Sequence, residues 1–284
     1  MIHTTLISAD QLRTLLSGSK HVVVLDCSHD LFDAQAGQLA YAQGHIPGAH
    51  FVAMDGEISG HKTGLNGRHP LPERRVVVDL MRRFGVNDDT QIVTYDANHG
   101  TYASRIWWML RWLGHGSVAV LDGGFAAWKS DAGQVSTDPT PTPAPGHFTD
   151  RKPLVEPVSF EAVLANVTTQ DKLVVDARAN DRFRGENETL DPAGGHIPGA
   201  VSRFYKLNLN DDGTFKDAAS LAREFRAQFG DRPAEQMIMQ CGSGVSACHN
   251  LLALEVAGFG TAPLYVGSWS EWCSRKEAPI ATGP

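Results

Sequence analysis

Residues 237–250 read MIMQCGSGVSACHN, so that Cys241 follows a short apolar run and precedes two glycines and two serines. A chain that leaves an apolar strand and turns into a helix through CGSGVS must curl tightly, and glycines at 242 and 244 permit the positive φ that converging backbone N–H groups require. A thiolate is the anion such a nest would hold. The helix expected to begin near Ser246 adds its positive end, which favours thiolate over thiol and so a sulfur nucleophile. The alternative is an inert core cysteine, since free cysteines are among the most buried residues. Strand, glycine turn and helix in succession favour the nucleophile. A structural zinc site does not fit, because Cys241, Cys248 and His249 lack the paired spacing of such sites.

The elements that must position Cys241 occur twice. VVVLDCSHDLF (22–32) resembles LVVDARANDRF (173–183), GHIPGAHF (44–51) returns as GHIPGAVS (195–202), and 91–128 aligns with 236–272, all in the same order. The repeat sets Asp26 against Asp176, His45 against His196, and Asp96 against Cys241. HVVVLD, QIVTYD, SVAVLD, KLVVDA, QMIMQC and APLYVG are continuous apolar runs of strand length, as buried parallel strands require, and helical periodicity lies between them. Ile106, Leu110 and Leu113 mark one helical face; Ala247, Leu251, Leu254 and Gly258 mark another. The fold class expected is α/β: two tandem domains, each a mainly parallel sheet flanked by helices, in which ligands gather at the carboxyl ends of strands. The first domain is placed at 1–135, a Pro-rich linker at 136–157, and the second domain at 158–284, a division that suits 284 residues. His45 and His196, each followed by Ile-Pro-Gly, are expected to shape a turn ahead of a strand.

Composition narrows the partners. The formal net charge of −7 offers no basic field for nucleic acid or an acidic membrane, and no apolar run of membrane-spanning length occurs. MIHTTLISADQL lacks the basic start and apolar core of a signal peptide, and the four scattered cysteines suggest reduced thiols; a cytoplasmic protein is expected.

Two GHIPGA boxes, a Pro-rich linker and a single cysteine loop in the second half together resemble tandem-domain rhodanese-type sulfurtransferases over essentially the full chain. The loop CGSGVSA is similar to that of the 3-mercaptopyruvate branch, with Ser246 where threonine is usual. The resemblance implies that Cys241 takes a sulfane sulfur from a donor as a persulfide and passes it to a thiol such as thioredoxin or glutathione, or to cyanide, without a cofactor or metal. It implies substrate-binding roles for Gly242, Gly244, Val245 and Ser246 in the loop. It matches Ser243, His69 of NGRHPLP and Asp55 of VAMDGE to a triad that serves the substrate carbonyl, and Arg182 of NDRFRG to an arginine for the substrate carboxylate. The branch's second arginine, which precedes the GHIPG box, has no counterpart in ENETLDPAGGHIPG; either substrate binding is weaker here or Arg184 or Arg68 compensates. The first half, with Asp96 in the nucleophile's place, is expected to be catalytically silent, on the view that a carboxylate does not belong in an anion nest.

Other functions are weighed on the same loop. Cysteine phosphatases need arginine six residues after the nucleophile, and that position is Ala247. Thiosulfate is the runner-up donor, disfavoured because Gly242, Ser243 and Gly244 are neutral where thiosulfate enzymes usually carry Arg and Lys. A non-catalytic sulfur carrier or binding module is the third reading.

Overall fold

The computed structural model describes residues 2–284; Met1, counted in the first predicted domain, lies outside them. The chain divides into two compact units. The first comprises residues up to Gly60, then Pro72–Leu154 and Asp211–Phe215; the second comprises His61–Leu71, Val155–Asn210 and Lys216–Pro284.

In the first unit, strands β1 (Leu6–Ile7), β2 (Val22–Asp26), β3 (His50–Phe51), β4 (Gln91–Tyr95) and β5 (Val118–Leu121) alternate with helices α1 (Ala9–Leu16), α2 (Ala36–Gln43), α3 (Arg74–Arg83), α4 (Ala103–Trp112) and α5 (Gly124–Ser130). All strand pairs are parallel, in the order β1-β5-β4-β2-β3. In the second unit β6 (Pro157–Val158), β7 (Leu173–Asp176), β8 (Val201–Ser202), β9 (Met237–Gln240) and β10 (Leu264–Tyr265) repeat that order as β6-β10-β9-β7-β8, with α6 (Phe160–Thr169), α7 (Asn180–Arg184), α8 (Ala218–Phe229), α9 (Ser246–Val256) and α10 (Ser268–Trp272). The strands read from apolar runs are present within a residue or two. The two-residue strands β1, β3, β6, β8 and β10 are too short to carry a period; β1, β3, β8 and β10 pair with longer neighbours, and β6 extends the ladder from β10.

Each unit has its own core. Ile7, Leu12, Val24, Val93, Leu121 and Trp128 pack in the first; Phe160, Val174, Ile238, Trp269 and Trp272 pack in the second. The helices that leave the two central strands are buried on all sides rather than one. α4 is buried from Ala103 to Leu110 and α9 from Ala247 to Leu254, the latter lying against both β9 and α8. Gly258 is exposed and at φ 77° closes that helix rather than extending its apolar face.

The GHIPG boxes are built as turns. His45 stacks on Tyr41 at 3.9 Å and its Nδ1 meets the Tyr41 carbonyl at 2.8 Å; His196 stacks on Phe183 at 3.9 Å with Nδ1 2.9 Å from the Phe183 carbonyl. Residues 136–154, read as linker, belong to the first unit. Gly146 N–H donates to the Arg82 carbonyl and Arg151 N–H to the Leu113 carbonyl, and Phe148 is fully buried. Their prolines strip donors from the segment, yet the N–H groups of Gly146 and Arg151 are anchored to carbonyls at the C-terminal ends of α3 and α4, which need donors.

Candidate active site

Cys241 stands at the carboxyl end of β9, the central strand of the second sheet. Its N–H donates to Ser268 Oγ (3.1 Å), and its carbonyl accepts from Trp269 N–H (2.9 Å); the Gly242 carbonyl accepts from Ser270 N–H (2.9 Å). The start of α10 thus takes up the carbonyls at one side of the loop, which turns the following N–H groups to the other. Ser268 holds this junction at φ 55°, its hydroxyl donating to the Tyr265 carbonyl at 2.8 Å.

Among the described residues, the backbone amides of Gly242, Ser243, Val245, Ser246 and Ala247 donate to no protein acceptor. Val245, at the cap of α9, offers no side-chain oxygen, so the helix end keeps its partial positive charge for the loop. Gly244 has φ 75°, and a Cβ there would lie 2.4 Å from the Val266 carbonyl oxygen. Gly242, expected to share the left-handed conformation, does not adopt it; side-chain space is its constraint, since a Cβ would stand 2.9 Å from Arg68 Nη2.

The equivalent loop of the first unit reveals what such an arrangement holds. Asp96 ends β4, and its carbonyl accepts from Phe125 N–H at 3.0 Å, as that of Cys241 does from Trp269. Gly124, at φ 58°, occupies the place of Ser268. The Asp96 carboxylate accepts from the amides of Asn98 (2.7 Å), Gly100 (2.9 Å), Tyr102 (2.8 Å) and Ala103 (2.9 Å). The expectation that a carboxylate is foreign to the nest is therefore wrong. Converging N–H groups at a helix start stabilise any compact anion, and Asp96 is that anion in the first unit.

His69 and Ser243 meet in the second unit, Nδ1 to Oγ at 2.8 Å, both side chains buried. The segment carrying His69 is pinned beside α10: Gly67, at φ 80°, approaches the Gly267 carbonyl so closely that a Cβ would be 2.6 Å from its oxygen, and Arg68 N–H donates to Ser270 Oγ at 3.0 Å. Asp55 is exposed and lies in the first unit, in the turn after Met54.

Arg182, on α7, stands over the loop, both of its Nη atoms 3.8 Å from where a Gly242 Cβ would be. Its Nε and Nη2 bind Glu188 at 3.0 and 2.9 Å, and Nη2 also binds Asp191 at 3.2 Å. Arg184 does not join it. Its guanidinium pairs with exposed Glu186 at 2.6–2.8 Å, and the residue lines a separate surface cavity of about 450 Å³ with Asn180, Phe183 and Pro284. Successive residues of so short a helix face different directions, so Arg182 and Arg184 cannot serve one point. Sequence reasoning missed Glu188, Asp191, Ser268 and Ser270. Only the repeat hinted at one of them, by setting Ser268 against Gly124.

The other thiols are unsuited to nucleophilic attack. Burial pushes the Cys27 thiol far above its ordinary range, with Asp26 and Asp96 adding to the rise; burial raises Cys273 to about 11. Cys248 is buried and donates its S–H to the Gly244 carbonyl at 3.4 Å.

The family of rhodanese-like domains matches residues 8–131 and 159–275. The chain belongs to that family. Among rhodanese-like relatives it is 41% identical over 288 residues to a protein of Pseudomonas aeruginosa named as a probable 3-mercaptopyruvate sulfurtransferase, covering 100% of both chains. It is 36% identical to a putative thiosulfate sulfurtransferase of Mycobacterium tuberculosis, covering 98% of this chain and 97% of the relative. Among solved structures it resembles SseA of Escherichia coli, a 3-mercaptopyruvate enzyme of the rhodanese fold, with a TM-score of 0.78 at 31% identity over 94% of this chain and 99% of the other. No helix among the described residues is long and apolar enough to cross a membrane.

Proposed function

We propose that the protein is a sulfurtransferase that takes sulfur from 3-mercaptopyruvate on Cys241 and delivers it to a thiol. The observation that carries this is that the amides of Gly242, Ser243, Val245, Ser246 and Ala247, which follow Cys241, donate to no acceptor among the described residues, in the loop that repeats the one whose amides bind the Asp96 carboxylate in the first unit. A persulfide anion extends from Cys241 by one atom into those donors.

In the reaction, the Cys241 thiolate attacks the thiol sulfur of the donor. The sulfur–carbon bond breaks, its electron pair passes to carbon as the pyruvate enolate, and Cys241 retains the sulfur as a persulfide; a proton then converts the enolate to pyruvate. The Ser243 hydroxyl, oriented by His69 Nδ1, hydrogen-bonds the carbonyl oxygen as it gains charge, an interaction stronger in the transition state than in the ground state. Asp55 completes the proposed triad as the group that orients His69. Arg182 receives the carboxylate. An acceptor thiolate, of thioredoxin or glutathione, next attacks the outer sulfur and releases Cys241 as thiolate; cyanide serves as a chemical acceptor. The first unit has no nucleophile at Asp96 and is the non-catalytic half of a cytoplasmic enzyme, the division falling in the Pro-rich stretch at 136–157.

Thiosulfate is the second reading, since amides that stabilise a persulfide also bind an oxyanion and one relative carries that name. Ser243→Ala discriminates. It should lower kcat/KM for mercaptopyruvate about tenfold, one hydrogen bond of about 1.4 kcal/mol in the transition state, and leave thiosulfate turnover nearly unchanged. Equal losses with both donors, or a wild-type enzyme that prefers thiosulfate, would move the assignment to thiosulfate.

A further inference from the structure

Asp176, Glu188 and Asp191 meet Arg68, Arg178 and Arg182 in the second unit, so that three buried carboxylates and three guanidinium groups cancel in charge. The three acids are not held alike. Asp176 accepts the Arg178 amide at 2.9 Å as well as its guanidinium, and Glu188 accepts the amides of Leu190 and Asp191 at 2.9 and 3.1 Å. The Asp191 carboxylate, 2% exposed, accepts no backbone amide among the described residues. One of its oxygens binds Arg68 Nη1, and the other binds Arg182 Nη2 at 3.2 Å. Asp191 therefore keeps its charge through arginines alone, and one of them is the arginine assigned above to the donor.

We propose that Asp191 is an internal competitor for Arg182, and that a 2-keto monocarboxylate enters this site together with a proton that neutralises Asp191. A bound carboxylate makes a fourth negative charge beside three arginines, and an unpaired charge in a buried cluster is relieved most cheaply by protonation. Asp176 and Glu188 retain amide hydrogen bonds that favour their ionised forms, which leaves Asp191 to take the proton. Burial already pushes the Asp191 carboxyl above the ordinary carboxylate range; Arg68 pulls it down, Glu188 adds to the rise, and Arg182 and Arg178 oppose it. An anion drawn to Arg182 weakens that opposition and adds a like charge, so both effects raise Asp191 further. The Cys273 thiol, beside the same groups, is raised to about 11 by burial and stays neutral throughout. Donor binding is then tightest while the bound-state Asp191 is protonated and weakens as pH rises through its titration. The inference rests on the sulfurtransferase reading for its ligand, but the proton uptake stands apart from turnover.

The test uses the full chain with Cys241→Ala, which removes the thiol as another place for the proton, and titrates pyruvate by calorimetry between about pH 5 and pH 8. Pyruvate stays ionised over that range. Its affinity should fall by up to about tenfold per unit as pH rises, and the heat should vary with the ionisation enthalpy of the buffer as proton uptake requires. Adding Asp191→Asn, a neutral side chain of the same shape, should level the affinity across the range, abolish the uptake and tighten binding about tenfold or more at pH 8. A residue that merely held the arginines in place would weaken binding when replaced. His69→Gln should keep the parent's slope, because a proton gained by that imidazole would give the same sign. Unfolding midpoints identify any variant that fails to fold; if Asp191→Asn does, the parent's uptake set against that of His69→Gln decides. No pyruvate binding, a level affinity in the parent, a retained slope or weaker binding at pH 8 in Asp191→Asn, or a slope lost in His69→Gln overturns the inference. Turnover by the chain with Cys241 intact separates the two claims: Asp191-dependent proton uptake in a protein inactive on mercaptopyruvate refutes the donor and keeps the competitor, while mercaptopyruvate turnover without such uptake does the reverse.

Discussion

Replacing Asp96 tests the meaning of the nest without touching the proposed nucleophile. The carboxylate is fully buried and accepts four amides at 2.7–2.9 Å, two on each oxygen. Hydrogen bonds to a charged group contribute about 1.5–3 kcal/mol each, so four sum to about 6–12 kcal/mol before the cost of desolvating the carboxylate. That cost, and a water entering the space left by alanine, offset much of the sum. Removing one side of a buried charged arrangement typically costs about 3–5 kcal/mol, and Asp96→Ala is expected in that range. Asp96→Asn keeps one oxygen for two amides but turns an NH2 group toward the other two, for a loss of about 2–3 kcal/mol. At about 3 °C per kcal/mol for a unit of this size, the alanine variant should melt about 10–15 °C lower, and the asparagine variant should lie between it and the wild type. Calorimetry of the full chain reads both, and persulfide formation on the still-folded fraction should persist. A loss below about 1 kcal/mol for Asp96→Ala would refute the idea that the loop is built around an anion.

Peptide mapping after brief alkylation at pH 8 should find Cys27 and Cys273 unmodified: a thiol raised to about 11 is about one part in a thousand thiolate there, and Cys27 less. Rapid labelling of either would contradict the environments described. Gly244→Ala forces a Cβ to 2.4 Å from the Val266 carbonyl oxygen at φ 75° and should abolish sulfur transfer while costing about 2 kcal/mol or more of stability, read by turnover and denaturant midpoint; unchanged transfer would show that the loop tolerates another path.

The long strands were legible because buried parallel strands are continuous apolar runs, and the repeat fixed their order twice over. The cysteine loop was legible for the same reason: a strand end, two glycines and a helix leave little freedom. What escaped was whatever depends on partners distant in sequence. Nothing in ENETLDPAGG marks Asp191 as the residue that would bind Arg68, 123 positions away, or shows Arg184 facing solvent while Arg182 faces the loop. Nor does DANHGTYA advertise that its aspartate folds back onto its own amides, though the aligned cysteine invited the thought. Gly242 was assigned a left-handed conformation on its residue type; the constraint there is the arginine above it.

The central claim is that Cys241 alone carries the transferred sulfur. Intact-mass and peptide mass spectrometry of the protein mixed with 3-mercaptopyruvate, without acceptor, measures this directly. The account predicts one added sulfur per chain, confined to the Cys241 peptide, formed with stoichiometric pyruvate and lost on adding a thiol. Sulfur on Cys27, Cys248 or Cys273 instead, or pyruvate release undiminished in Cys241→Ser, would contradict it.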